Sequence, residues 1–426
     1  MMVVIVSCSQ YNRVNAWQEI KRDVVKKTAH GLHWTKEKIA ASSQKIKKYF
    51  ADPSLGGVYY YASMATTAHP VKENIAGEFA LNTVYYKYNP QGFRQWLLRK
   101  GTNVEFTNWW KKTTQWFQQE TYEGGDIKHF IEKYCLDMTD YAREKPSDYE
   151  NFNDFFYREL KDGVRKIDLR DEIIVSPADS KVRVLPHITA TSKFFVKQVP
   201  FNLASFLDDI CLADEYEGGT LFTFRLAPTD YHRFHFPFDC TPSTPLFIKG
   251  KYETVNPIAF RVGLWPVIIN KRARITLHSP VFGDVIMMVV GASMVASLNF
   301  TYAFDAPVKK GSEAGFFAFG GSTVCLLFKK DVVHLPDLLA ERSENKHLDD
   351  KKDVALYEKK SAFETAVRVG QGMAAKSGKV DVNVLTDPRY VAFLNKHTRA
   401  TTLDLDGTRI HFVWNVVAKD HPQVTF

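Results

Sequence analysis

Hydrophobic and polar positions divide the 426-residue chain into stretches of different texture. Up to about residue 145, apolar side chains recur among basic and polar ones at helical spacing. "GFRQWLLRKG" and "NWWKKTTQWFQQE" set Trp96, Leu97, Trp109, Trp110, Trp116 and Phe117 among Arg and Lys. "HFIEKYCLDMTDYAREKPSDYENFNDFFYREL" continues the period, with a break at Pro146 and Ser147. From about 170 the period shortens. "DEIIVSPADSKVRVL", "GGTLFTFRLAP", "PLFIKGKYETVNP" and "ARITLHSPVFGDVIMMVVGASMVASL" are short apolar runs between turn residues, which predicts β-strands. From 329 to about 382 the chain reads as charged and helical, with "SENKHLDDKKD" as a solvated loop. Beyond 383 an alternating apolar pattern predicts extra strands. The expectation is an α+β fold: a helical region over 1–145 packed on a β-rich, sandwich- or barrel-like core over 146–382, with an extension over 383–426.

Charge refines the first of these regions. The whole chain carries +8, but residues 17–50 hold nine Lys and Arg against three acids, a net +6, interleaved with Trp17, Trp34 and Phe50. Such a stretch suits an anionic membrane surface or nucleic acid, and equally a solvated helix face. No apolar run approaches the roughly 18 residues of a membrane span, and "MMVVIV" is too short for a secretory signal. The five cysteines (Cys8, Cys135, Cys211, Cys240 and Cys325) are odd in number and widely spaced, which favours a reducing compartment over a disulfide framework.

One predicted strand has a gap. In "GFFAFGGSTVCLLF", residues 315–328, apolar side chains flank Gly320, Gly321, Ser322 and Thr323. Glycine in a strand commonly marks a bulge or a close backbone approach. It also leaves a carbonyl unshielded, so that the Ser322 hydroxyl could attack the carbonyl of Gly321. Two other clusters carry chemistry. "RLAPTDYHRFHFPFDC" holds His232 and His235 three apart, too few ligands for a zinc site, and no metal is expected. "VSPADSKV" holds Asp179, on its own an ordinary turn residue. Together they supply a carboxylate, an imidazole and a hydroxyl, the set in which an acid orients a base that deprotonates a serine. No GxSxG elbow is present, so a hydrolase fits badly.

The ordered blocks "FFYRELKDGVRKID", "VSPADSKV", "RLAPTDYHRFHFPFDC", "GKYETVNP", "VVGASMVASL" and "KKGSEAGFFAFGGSTVCLLFKKD" resemble those of the phosphatidylserine decarboxylase proenzymes. The resemblance runs from about Phe130 to Gly372 and is closest to the branch processed at Gly-Gly-Ser-Thr. It implies cleavage between Gly321 and Ser322, with Ser322 becoming a covalent pyruvoyl (pyruvate) group that serves as electron sink. It further implies that Asp179 and His235 activate Ser322, that His232 serves decarboxylation, and that Tyr231 and Met294 contact substrate. Ser180, Ser293 and Ala296 depart from the family's usual residues, and 383–426 matches no block.

The resemblance implies phosphatidylserine in an anionic membrane as substrate and phosphatidylethanolamine as product. The enzyme would lie peripherally on a cytoplasmic membrane face, with its two chains remaining associated. A homodimer is compatible with it; a nucleic-acid partner is not expected. Two alternatives stay open: a pyruvoyl-dependent decarboxylase of a free amino acid, and an unprocessed lipid-binding protein.

Overall fold

A computed structural model describes residues 59–73, 124–189, 202–251, 253, 255, 266–292, 297–318, 322–344, 362–378, 380–394, 402–405 and 408–411. In chain order the strands begin with the short β1 (Tyr59–Tyr61) and β2 (Pro70–Lys72), then β3 (Ile173–Val175), β4 (Ser180–Ile188) and β5 (Gly219–Leu226). Next come β6 (Arg233–His235), β7 (Thr241–Pro242), β8 (Leu246–Ile248), β9 (Arg272–Ser279) and β10 (Gly283–Val290). After these run β11 (Ser297–Phe300), β12 (Glu313–Ala318) and β13 (Ser322–Phe328). The last are β14 (Val333–His334), β15 (Ala362–Val367), β16 (Gly372–Lys376), β17 (Thr402–Leu405) and β18 (Thr408–His411).

Ten strands form one sheet in the order β2-β1-β15-β4-β5-β13-β10-β9-β7, with β8 also on β9. Its central strands read as continuous apolar runs because both faces are covered, and the strand period of two sorts them. Val324, Leu326 and Phe328 of β13 join Phe222, Phe224, Met287 and Val289 on one face, under two three-stranded sheets, β11-β12-β6 and β14-β16-β3. Cys325 and Leu327 join Leu221, Ile286, Met288 and Val290 on the other face. That face is covered by residues of the short helices Leu203–Leu207, Ile210–Glu215 and Pro266–Ile269. The expected α+β class with a β-rich core is the observed one.

Three regional readings need correction. Within 1–145, the helix Gly124–Tyr134 is present, but β1 and β2 are strands on the rim of the large sheet. A three-residue strand is too short to display a period, so its pairing partner decides it. The basic residues 17–50 lie outside the described residues. Within 329–382 the helix Asp337–Glu344 is joined by β14, β15 and β16, and most of the charged stretch read as a solvated loop lies outside the described residues. Beyond 383, β17 and β18 pair as expected, but the segment before them forms a 3-10 turn (Val382–Thr386) and a helix (Pro388–Leu394). Val382, Leu385, Tyr390, Val391, Phe393 and Leu394 belong to the main core, so no boundary falls at 382.

Tyr390 ties this helix in. Its hydroxyl donates to Asp168 Oδ2 at 3.0 Å and accepts from the Gly372 N–H at 3.0 Å, all three groups being buried. Tyr390→Phe strands the Gly372 donor, and we expect a loss of about 1–3 kcal/mol in urea unfolding. An unchanged midpoint would contradict this placement.

Candidate active site

The chain passes four times between the β11-β12-β6 sheet and the large sheet, and two of these passages lie side by side. Residues 227–232 connect β5 to β6, and 319–321 connect β12 to β13. Gly320 and Gly321 lie outside the described residues, but both flanks of their connection are tied to the other one. Phe317 donates its N–H to the His232 carbonyl at 2.9 Å, and Ser322 stands opposite Leu226 in the β13–β5 register. The gapped strand is therefore two strands in different sheets, with Ser322 at the head of the second. Its side chain is fully buried, and its Oγ has no hydrogen-bond partner among the described residues. A buried hydroxyl left unpaired is costly, so it calls for an explanation.

His232 is held from several sides. Its Nδ1 donates to the Asp230 carbonyl at 2.9 Å, and its ring lies 3.8 Å from that of Phe156. Since Nδ1 carries the proton, Nε2 of the neutral ring is a lone pair, and this atom too is buried and has no partner among the described residues. Burial, reinforced by the nearby Arg158 charge, pulls the His232 pKa down to about 3. The connection itself is pinned through Asp230. Its carboxylate accepts from the Ala227 N–H at 2.7 Å and from Lys181 Nζ at 2.8 and 2.7 Å. Arg158 Nη2 donates to the carbonyls of Thr229 and Asp230 at 2.9 and 3.3 Å.

His235 and Asp179 have other direct partners. His235 Nδ1 donates to the Gly311 carbonyl at 2.9 Å, and Nε2 accepts from the Tyr231 hydroxyl at 3.1 Å. Asp179, in the bend between β3 and β4, accepts from Arg165 Nε at 3.2 Å to each oxygen and from Arg165 Nη2 at 2.6 Å. The Val369 N–H adds a bond at 2.9 Å. Burial alone would raise the Asp179 carboxyl, but the Arg165 charge and these bonds hold it below the usual carboxylate range. No hydrogen bond joins Asp179, His235 and Ser322. Asp179 reaches His235 through its charge, which opposes the lowering of that histidine's pKa by burial.

Register thus brings Ser322 and His232 to the same pair of crossings, whereas His235 stands opposite Glu313 at the start of β12. Tyr231 is buried, with its hydroxyl on His235. Met294 lies outside the described residues. Arg158, Arg165, Lys181 and Asp230 escaped the sequence reading. Only Asp230 carried a local signal, as a turn-forming Asp in "APTD" whose carboxylate turns back on the Ala227 N–H.

The family model described as phosphatidylserine decarboxylase matches residues 152–348. A phosphatidylserine decarboxylase proenzyme of Fusobacterium nucleatum is 42% identical over 276 residues, 64% of this chain and 89% of its own length. Proenzymes of the same name from Clostridium perfringens and Chlamydia muridarum are 36% identical over 250 residues and 44% over 203. These alignments span 59% of this chain and 79% of the Clostridium protein, and 48% and 67% for the Chlamydia protein. The chain belongs to the phosphatidylserine decarboxylase family.

The His232 environment predicts acid sensitivity. Unfolded, the ring takes up a proton below its ordinary 6.5; folded, it does not until about 3. Its contribution to stability is therefore complete above 6.5 and is lost as pH falls towards 3, at up to about 1.4 kcal/mol per pH unit. In urea unfolding between pH 7 and 4, His232→Asn should flatten this slope. An unaltered slope would exclude a neutral buried His232.

Proposed function

We propose that this chain is the proenzyme of a decarboxylase that converts phosphatidylserine to phosphatidylethanolamine and CO2. It cuts itself between Gly321 and Ser322. Family membership supports the reaction, and the observation that carries the cut is the buried, unpaired Ser322 hydroxyl at the head of β13, directly after two glycines. A side chain spent on no structural bond is available as a nucleophile. Attack of Oγ on the Gly321 carbonyl moves the acyl group from nitrogen to oxygen and leaves an ester. Loss of the Ser322 α-proton with cleavage of the Cβ–Oγ bond then releases Gly321 as a carboxylate. The dehydroalanine left at 322 takes up water and loses ammonia, giving the pyruvoyl group.

The residues present fit that group. The hydroxyl that disappears breaks no hydrogen bond, and the surrounding strands need no rearrangement. When formed, the pyruvoyl ketone supplies an electron sink for the bond to CO2, a task that no protein side chain performs alone. His232 is suited to the proton that must be moved. Its bare Nε2 takes up a proton once a substrate carboxylate offsets the nearby cationic charge, and returns it to carbon. Arg165 keeps Asp179 ionised, and Asp179 favours a protonated His235. For His235 to serve Ser322, its contact with the Tyr231 hydroxyl must open.

A second reading reverses the histidines, and one observation favours it: the free lone pair is on His232, which shares the crossings with Ser322. No helix among the described residues is long and apolar enough to cross a membrane. We place the enzyme peripherally on its lipid substrate, with the chain ending at Gly321 still bound to the chain of residues 322–426.

Intact mass of natively purified protein should show those two chains, and Ser322→Ala should abolish the cut. His235→Ala should also remain uncut. His232→Ala should cleave yet release CO2 from phosphatidylserine about 10²–10⁴-fold more slowly. The opposite pattern establishes the reversed assignment, cleavage by both variants removes histidine from processing, and a single full-length wild-type chain overturns the proposal.

A further inference from the structure

Three of the five exposed large apolar side chains among the described residues gather on the side of the large sheet bearing β8. Leu246 and Phe247 on β8 are 51% and 55% exposed, and Phe304 is 48% exposed. Phe247 begins a row of rings that continues through Phe300 and Tyr302 to Phe304, at successive centroid distances of 6.0, 6.0 and 5.1 Å. Beyond Phe247, Lys249 and Lys251 are exposed. Neither lysine has an acidic partner among the described residues, whereas the acids at the other end are occupied: Asp239 with Lys309, and Asp305 with Thr244.

Register relates this face to the site. Thr323 pairs with Val290, Val290 with Arg272, and Arg272 with Ile248. The residue after Ser322 therefore shares a row with the residue before Lys249, three strand spacings or roughly 15 Å away. Apolar side chains that project beside unpaired lysines match the two layers of an anionic bilayer, hydrocarbon and phosphate. A second copy of the chain is a poorer occupant, because an isologous contact sets the same unpaired lysines against each other.

We propose that Leu246, Phe247 and Phe304, with Lys249 and Lys251, form a docking face for an anionic phospholipid bilayer. The face seats the protein with the Ser322 end of the sheet beside the headgroups. This rests on the reading that the substrate is a membrane phospholipid, and it adds a contact built on the folded core.

Amide exchange of the full-length protein tests it locally. Residues 244–251 should exchange more slowly with phosphatidylcholine vesicles containing phosphatidylglycerol, and not with phosphatidylcholine alone. The pairs Leu246→Ser with Phe247→Ser, and Lys249→Glu with Lys251→Glu, should each weaken anionic-vesicle binding on the order of tenfold or more. Turnover of vesicle phosphatidylserine should fall in parallel, while self-cleavage and turnover of dispersed short-chain phosphatidylserine stay at wild-type levels. Unslowed exchange at 244–251, or variants that bind as wild type, overturns the docking face. Slowing that follows protein concentration without vesicles overturns it too and assigns the face to self-association. Vesicle-dependent slowing in a protein that turns over neither form of phosphatidylserine upholds the face and removes the enzymatic reading.

Discussion

The pairing of β13 between β5 and β10 is the constraint on which the rest depends. Every residue from Ser322 to Phe328 is buried, and the apolar ones fill two different cores. At about 1.5–3 kcal/mol for each buried large side chain, Val324, Leu326, Leu327 and Phe328 together hold the strand with on the order of 10 kcal/mol. A slip of one residue would exchange the two faces, placing Val324 and Phe328 under the helices and Leu327 under the small sheets. Register is thereby fixed, and with it the position of Ser322 opposite Leu226. Packing far from the site decides where Ser322 stands.

Around that frame the buried charges are placed for geometry more than for stability. Arg225 binds Glu73 and Glu364, joining β5 to β15 and to the segment after β2. Lys181 on β4 binds Asp230 and so holds the connection that carries His232. Arg165 bridges Asp140 and Asp179. Desolvating such pairs cancels much of their attraction, so an apolar replacement of similar volume would serve stability as well. What an apolar pair lacks is direction: Asp230 orients both a turn and, through its carbonyl, the tautomer of His232.

Much of this was legible in the sequence where the pattern was long. The β9–β10 and β5 runs show their strands through β-branched and apolar composition, and the ordered blocks singled out Asp179, both histidines and Ser322 as the candidates. Short elements were not legible. β1 owes its existence to β15, about 300 residues later in the chain, and β2 to its pairing with β1. The helix Pro388–Leu394 looked like more strand because seven residues barely complete two turns. Within the site, residue types could be named but their partners could not. The Asp–His–Ser set suggested a hydrogen-bonded chain, whereas Asp179 is committed to Arg165, a pairing that depends on how the blocks fold together. One arginine among the chain's many basic residues offers no local sign of such a role.

The same topology accounts for how the chain would withstand the proposed cut between residues 321 and 322. The bond between residues 321 and 322 joins β12, secured by β11 and β6, to β13, secured by β5 and β10. Neither strand pairs with the other, so breaking the bond removes no ladder hydrogen bond and exposes no core residue. Both new ends remain attached to strands with two neighbours each. Phe317 keeps its bond to His232 on one side and Ser322 its place beside Leu226 on the other. The proposed cleavage would therefore leave β12 and β13 each held by both of its neighbours. A chain cut inside a hairpin would lose its turn and fray. Here residues 319–321 join two sheets that share one core, so the proposed cut would leave residue 322 in a place already fixed by β13 and its neighbours.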